Sequence, residues 1–560
     1  MVRRFSFLAA GLLVLFVYSG GLAQPPNQDN RVDRWNDMWM NQNNMGFFGN
    51  NGPLSSFPAS DPCPPYLWAP QCELPGGSDQ QYLFWAGLWI GAIVLDSGLE
   101  VPRVSVGTDG WLNPDLNEFW PPSGEAGGIR ERSRRDTVNC FGDPIYDPEA
   151  VADHEFIAVF TDTLDDEPYV VRDFDGTRHR PLGLRVTRTT HTMMEPPCNH
   201  IYWIHYLVEN IGNNFLKNVY FGHYVDGDVG PSTEVEHHTD DITGYEAVHQ
   251  IAYICDNDGR AHADGSGNDF NAPHITGTIF LRLPEGIERV SFNWWVSHVS
   301  AALDYGPSWE AYADRDSLGM GWTRLYGTPM GDLRKYQIMS NGEHDFDQVY
   351  AADPQWIAAH PQDGHAWSLS DPSPNAPNIA NGYDTRYLLS FGPLGTPVGS
   401  HRELRPGESF DLWMAYVGGL NFHDPDHPQP TNDTINPNLF NFTDLIAHVE
   451  AARAGDCFNW LSAEPRPTIN VPARFALDPL WPNPFNARAN IRFHLNHAGE
   501  VTIRAYDILG RSALEITRET FGIGTHTIAW NAAGMPSGLY FIEARNQHGG
   551  RAVQKAVLVK

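Results

Sequence analysis

Basic side chains are scarce in this sequence, and the scarcity narrows its function at once. Lys and Arg number 37 against 68 Asp and Glu, giving a formal net charge of −31 with only 19% of residues charged. A chain this acidic repels phosphate instead of neutralising it, which excludes nucleic acid as a partner. Cysteine is sparse too: Cys63, Cys72, Cys140, Cys198, Cys255 and Cys457 occur with no CxxC spacing. A structural zinc ribbon is thereby excluded. The metalloprotease pattern HExxH is missing, because no second histidine follows His154-Glu155 at the right step. A nucleophile elbow survives only in degenerate form at Asp264-Gly265-Ser266-Gly267, inside a polar loop. Carboxylates are plentiful, but no spacing singles out a glycosidase pair. Past the N-terminus there is no apolar run long enough for a spanning helix. Tyr82–Leu95 comes nearest, but it is short, carries Gly87 and Gly91, and reads as buried strand pairs.

What is present begins with a secretory pattern. Arg3 and Arg4 precede the apolar run FSFLAAGLLVLFV, and Gly21-Leu22-Ala23 puts small side chains before a polar stretch. This predicts a signal peptide over residues 1–23, cleaved after Ala23, and no transmembrane segment afterwards. A membrane anchor is the alternative, against which the shortness of the run and the polar QPPNQDN both argue. Export permits disulfides. The proline-bounded loop CPPYLWAPQC predicts that Cys63 bridges Cys72. Residues 24–78, rich in Asn, Pro and Gly, predict an extended leader that packs on the rest through Trp35, Trp39, Phe47 and Phe48.

The chain's 560 residues exceed one hydrophobic core, and its 52 Gly, 43 Pro and abundant aromatics favour short strands and loops over helical bundles. Residues 79–462 form the expected main body, of one or two units. His200–Glu209 and Leu216–Val225 flank the turn signal NIGNN and predict a hairpin. Tyr387–Phe391 and Ser409–Val417 predict a second pair, with Pro406-Gly407 as the turn between them. The expected fold is mainly β, a multi-domain antiparallel β-sandwich body. One helix is predicted over 443–455, capped by Thr443, striped by Leu445, Ile446, Val449 and Ala452, and stopped by Gly455. A Pro-rich linker, 463–474, follows.

Three acidic loops in the body offer oxygen ligands: Asp226-Gly227-Asp228, Asp240-Asp241 after His237-His238, and Asp256-Asn257-Asp258-Gly259. Carboxylates two residues apart in Gly-bearing loops suit calcium, although no full EF-hand pattern occurs. The same residues are also good turn formers. His237 and His238, read as strand neighbours on opposite faces, make a poor transition-metal pair. Trp85, Trp89, Trp294, Trp295 and Trp309 are candidates for stacking on a glycan, or for the core.

The last 86 residues, 475–560, read as a small immunoglobulin-like β-sandwich. Strands are predicted at Asn490–Leu495, Val501–Asp507, Thr525–Trp530, Leu539–Asn546 and Val553–Val559, separated by turns at Gly510 and Gly538. The runs Trp481-Pro482-Asn483-Pro484-Phe485-Asn486, Tyr506-Asp507-Ile508-Leu509-Gly510-Arg511, Gly524-Thr525-His526, Pro536-Ser537-Gly538-Leu539-Tyr540-Phe541 and Lys555-Ala556-Val557-Leu558-Val559-Lys560 occur in an order that resembles the type A C-terminal sorting domain of the type IX secretion system. An ordinary accessory immunoglobulin-like domain is the competing assignment. The resemblance implies passage through the periplasm, recognition of the tail by the secretion machinery, and delivery to the surface or the medium. Within the body, FGHYVDGDVG, FNWWVSH, KYQIMSNGEHDFDQ and SFDLWMAYVGG resemble secreted proteins of unassigned activity that carry such a tail. The leading expectation is a non-catalytic structural, adhesive or glycan-binding body with calcium as its candidate ion. The alternative is a secreted hydrolase of polysaccharide or protein.

Overall fold

The computed structural model describes residues 29–49, 70–110, 117–122, 128–165, 170–173, 176–234, 237–261, 270–284, 287, 290–296, 329–359, 379–429, 435–458, 475–478, 480–495, 499–521, 524–547 and 550–560. The expected signal peptide, Cys63, Trp309 and the Pro-rich linker lie outside the described residues.

The first strands are β1 (Asn30–Asp33), β2 (Trp39–Asn43), β3 (Phe47–Phe48), β4 (Cys72–Glu73), β5 (Gln80–Tyr82), β6 (Trp85–Asp96) and β7 (Leu99–Val106). Next come β8 (Arg130–Ser133), β9 (His154–Thr161), β10 (Leu184–Thr192), β11 (Ile201–Asn210), β12 (Leu216–Asp226) and β13 (Val229–Pro231). The body closes with β14 (Asp241–Glu246), β15 (Ile251–Asp256), β16 (Ile275–Arg282), β17 (Ser291–Val296), β18 (Thr385–Leu394), β19 (Thr396–Val398), β20 (His401–Leu404) and β21 (Ser409–Gly419). Helices α1 (Asp332–Ser340), α2 (Pro354–Ala359) and α3 (Thr443–Ala454) accompany them.

These strands make two antiparallel sheets. The first runs β13-β5-β4-β2-β3-β6-β12-β18-β17, with β1, β7, β19 and β20 attached; the second runs β14-β15-β16-β21-β11-β10-β9-β8. Segment 29–49, expected as part of an extended leader, supplies β1 to β3 of the first sheet. Both predicted hairpins are overturned. The strands flanking NIGNN part company: β11 pairs with β10 and β21, while β12 pairs with β6 and β18. The strands on either side of Pro406-Gly407 do the same, with β18 in the first sheet and β21 in the second. Both connections are arches between layers. They are laced together where they meet: Gly407 N–H donates to Asn210 O, Asn210 N–H donates to Glu408 O, and the Asn210 amide reaches Leu404 O at 2.9 Å.

The layer order explains the arches. Phe221, Leu389 and Phe391 of the first sheet pack against Tyr206, Val208 and Met414 of the second in one core. Outside the first sheet, α1 seals Trp89, Tyr224, Trp295 and Leu388 under Tyr336, Ile338 and Met339. Outside the second, α3 lays Leu445, Val449 and Ala452 on Trp203, Ile279 and Val417. The central strands are thus buried on both faces, so they read as apolar runs and not as alternating ones. β6 shows it best: it is one unbroken strand of 12 residues and not the expected strand pairs. Gly87 and Gly91 are not turns; a side chain at Gly91 would sit 2.9 Å from the Tyr336 ring of α1.

α3 stops as expected at Gly455, whose φ of 72° suits glycine. Thr443 is not its cap. Phe442 holds that position, and the Asn441 side chain instead accepts from Thr443 N–H at 3.1 Å. A disulfide joins Cys198 beside β11 to Cys457 beyond α3. The predicted Cys63–Cys72 bridge is overturned: Cys72 is a free, fully buried thiol, because β4 pairs with β2 and turns this side chain into the core.

The C-terminal unit is a separate two-layer sandwich built from β22 (Ala476–Leu477), β23 (Arg488–Leu495), β24 (Gly499–Tyr506), β25 (Ser512–Phe521), β26 (Gly524–Asn531), β27 (Gly538–Asn546) and β28 (Arg551–Leu558). One sheet is β22-β23-β26 and the other β25-β24-β27-β28. Alternating Ile491, Phe493, Leu495, Val501, Ile503 and Ala505 fill its core. β25 was not foreseen.

Thiol labelling of the folded, oxidised protein should leave Cys72 and Cys255 unmodified, since both are buried. Peptide mass mapping that finds either labelled without denaturant would contradict this packing.

Candidate metal centre

The acidic loops converge at one end of the sandwich. Asp241 opens β14 and Asp256 closes β15, and the two stand directly opposite each other in the ladder. Like charges in such a pair repel. Asp240 joins them, so that one carboxylate oxygen from each residue lies within 4.8 Å of the other two. The positions are set by the backbone around them. Tyr383 N–H donates to Asp241 O at 2.8 Å, and Gln348 bridges Asp241 O and Ile379 O. Gly382 presses on Asp240: a Cβ there would fall 2.3 Å from the Asp240 carbonyl oxygen, at a φ of 127°.

Each buried oxygen has a defined state. Asp256 Oδ1 accepts from the N–H groups of Asp258, Gly259 and Arg260. Asp241 Oδ2 accepts from Val229 N–H at 3.1 Å. Asp256 Oδ2, Asp241 Oδ1 and Asp240 Oδ1 are buried and have no hydrogen-bond partner among the described residues. Asp241 and Asp256 are fully buried and Asp240 is 7% exposed. Unpaired buried carboxylates are costly, so these groups hold protons unless a cation intervenes. Burial first, then Asp256 and Asp258, push Asp240 up to about 9. Burial and then Asp258 push Asp256 up to about 7. Asp241 rises well above the carboxylate range through burial, Asp240, Asp256 and Asp228.

A second acidic group sits beside the first and differs from it. Asp226, Asp228 and Asp384 also converge within 4.8 Å. Arg386, opposite Asp226 in the β12–β18 ladder, supplies the cation there: Nε is 3.2 Å from Asp226 Oδ1 and Nη1 is 2.6 Å from Asp384 Oδ1. Sequence reasoning missed Asp384, which only the folding of β18 onto β12 brings to this place. Asp258 stays out of both groups and pairs with Arg260 at 3.0 Å. His237 and His238 lie in a single 3-10 turn, not a strand, and among the described residues they join no metal-ligand group.

The tryptophan platform is overturned at Trp89, Trp294 and Trp295, which are fully buried. Trp89 Nε1 donates to Thr108 O at 2.7 Å, and Tyr224 stacks on both the Trp89 and the Trp295 ring, which also approach each other. These rings hold α1 on the sheet and offer no face to a sugar.

The tail motifs have structural work of their own. Asn483 lies on the outer edge of β28: its amide donates to Lys555 O and accepts from Val557 N–H, both at 2.8 Å. Phe485 continues the pairing with Val557 and Val559 and packs its ring 4.9 Å from Trp530. The segment around Pro482 and Pro484 thus covers an edge that would otherwise be open to pairing. Asp507 accepts from Leu509 and Arg511 N–H and pairs with the Arg511 guanidinium, closing a turn whose Gly510 has a φ of 75°. Tyr540 OH donates to Pro536 O at 2.8 Å. Gly538 is not the tight-turn residue expected. It starts β27, and a Cβ there meets nothing within 4 Å.

Residues 479–560 match the family described as secretion system C-terminal sorting domain. The C-terminal sandwich is a type IX secretion sorting domain. Through this sorting domain the protein is marked for the cell surface or the medium. Among the described residues no helix is long and apolar enough to cross a membrane. No curated protein shows significant sequence similarity to the chain. Among solved structures, a polysaccharide lyase aligns over 95% of this chain and 46% of its own, at 9% identity and a TM-score of 0.20. A β-1,2-glucanase from Parabacteroides distasonis aligns over 64% and 33%, at 6% identity and a TM-score of 0.12. Dimeric latent PorU from Porphyromonas gingivalis aligns over 77% and 34%, at 11% identity and a TM-score of 0.13. The chain spans less than half the length of each of these, and at such TM-scores the likenesses bear on neither fold nor activity.

The raised carboxyls give the metal-free protein a signed pH dependence. Asp240 and Asp256 keep protons in the folded state that they lose near pH 4 when unfolded. Their contribution is therefore fully present below about pH 4 and is lost as pH rises through about 7 and 9. Melting in chelator should show stability falling across that window, and excess calcium should flatten the fall. A flat profile in chelator would contradict the assignment.

Proposed function

We propose that this protein is an exported, non-catalytic β-sandwich whose body takes up a calcium ion at Asp240, Asp241 and Asp256 and is delivered by its sorting domain through the periplasm and across the outer membrane. The observation that carries the calcium reading is the set of three converging buried carboxylate oxygens that have no hydrogen-bond partner among the described residues. Oxygen-only ligands of high charge suit calcium, which accepts irregular coordination that magnesium does not. The neighbouring group differs in having a guanidinium beside it, with Arg386 at 3.2 Å from Asp226 Oδ1 and 2.6 Å from Asp384 Oδ1.

The same burial weighs against a hydrolase. Asp241 and Asp256 are closed to solvent, and a general acid or base has to reach its substrate. The body is then cargo whose function is to bind or to build at the surface, with a glycan among the candidate partners.

Two variants separate the parts of this reading. At a calcium concentration about 100-fold above Kd, melting should gain roughly 2.7 kcal/mol of stability over the chelated protein. Asp241→Asn should abolish that gain while leaving stability in chelator little changed, because a carboxyl that already holds its proton carries no charge to lose. Deleting 475–560 should hold the body in the periplasm of a host that has the machinery, whereas Asp241→Asn should still be delivered. An unchanged calcium shift in Asp241→Asn, or normal delivery of the truncated chain, would contradict the corresponding half.

A further inference from the structure

A second cluster, of different chemistry, lies where α3 meets the end of β21. His200 immediately precedes β11, and its carbonyl accepts from Gly418 N–H at 2.9 Å. His448, on α3, donates Nδ1–H to Gly418 O at 2.9 Å. Asp444, one turn earlier, accepts from Leu420 N–H at 2.7 Å. Backbone groups of one strand end thus orient the His448 and Asp444 side chains and fix the His200 main chain beside them. Each offers one ligand atom, and the three atoms lie within 4.8 Å of one another.

The protonation pattern suits a metal. His200 is 8% exposed and His448 6%. His200 Nε2 faces the Asp37 carboxylate at 3.7 Å, while its Nδ1 is buried with no hydrogen-bond partner. At 3.7 Å this carboxylate is not hydrogen-bonded to the ring, but its charge favours the proton on Nε2 and the lone pair on Nδ1. The Gly418 carbonyl does the same for His448, leaving the lone pair on Nε2. His274, within electrostatic reach of His200, is committed elsewhere: its Nδ1 accepts from Asn421 N–H at 3.1 Å. The His200 and His448 rings meet edge to face at 4.9 Å, so a small closure brings their nitrogens to the spacing of a shared ion.

We propose that His200, Asp444 and His448 form a site for a divalent transition-metal ion of zinc-like chemistry, with a solvent-facing fourth position. Two imidazoles and one carboxylate favour such an ion over calcium, which prefers oxygen alone. The carboxylate is the exposed member, at 41% of its side chain, so the ion has an entry path. Next to the Cys198–Cys457 bridge, the ion would act as a second clasp of α3 on the sheet. This proposal does not depend on the calcium reading.

Cobalt is the direct probe. The full secreted chain, oxidised and stripped by chelator, should take up one cobalt ion with a visible d–d band of low-coordinate nitrogen and oxygen ligation. Zinc should displace it and millimolar calcium should not. His448→Gln and His200→Gln should each weaken binding by at least roughly tenfold. Asp444→Asn, at an exposed position, serves if either fails to fold. The calcium-dependent melting shift should persist in all three. Absence of the band, or equal cobalt affinity in the wild type and the folded variants, would overturn the site.

Discussion

Three carboxylates without a cation, shut inside one end of a β-sandwich, are the constraint around which this body is arranged. Asp241 and Asp256 are opposed in a ladder, and Asp240 is pressed against them by the strap that carries Gly382. Such an arrangement is tolerated only with protons or a cation present. The fold spends much of its local hydrogen bonding on holding the site open: Val229, Gly259, Arg260 and Tyr383 each give a backbone N–H to it. An ion bound there would join the β14–β15 hairpin of the second sheet to the start of β13 in the first, which gives the site a mechanical meaning.

The arches belong to the same logic. A chain that switches sheets after β11 and again after β20 places its longest strands back to back, each covered outside by a helix. Among the described residues, the central strands β11, β12, β18 and β21 bury most of their side chains. Tryptophans that would be platforms in an open sheet become packing for α1. Chemistry is pushed to the strand ends, where both proposed ion sites lie: the oxygen site where β14 begins and β15 ends, and the histidine site at the β21 end. Their ligand sets divide hard from borderline cations, so the two would fill independently.

How much of this could be read from the chain depended on burial. In the tail, where strands have one wet face, alternation located β23, β24, β27 and β28 closely. β25 escaped because both its faces are largely exposed and it lacks an apolar stripe. In the body, HIYWIHYLVE marked a strand correctly but not its partner, because a hairpin and an arch share the pattern of strand, polar turn, strand. The acidic residues were visible as Asp-Gly-Asp and Asp-Asp loops, and Asp226, Asp228, Asp240, Asp241 and Asp256 do gather. Asp384 and Arg386 carried no such mark, and only the β12–β18 pairing shows that one group has its own cation and the other has none. His200 and His448 were also silent, being single histidines far apart in sequence.

The most direct test of the central claim is a count of protons. Calorimetric titration of calcium into the metal-free protein near pH 7, repeated in buffers of different ionisation enthalpy, measures protons released per ion bound. Carboxyls raised to about 7 and about 9 at Asp256 and Asp240 predict net proton release, decreasing as the pH is taken above 9. Calcium binding with no proton release, or no binding heat at all, would contradict the account.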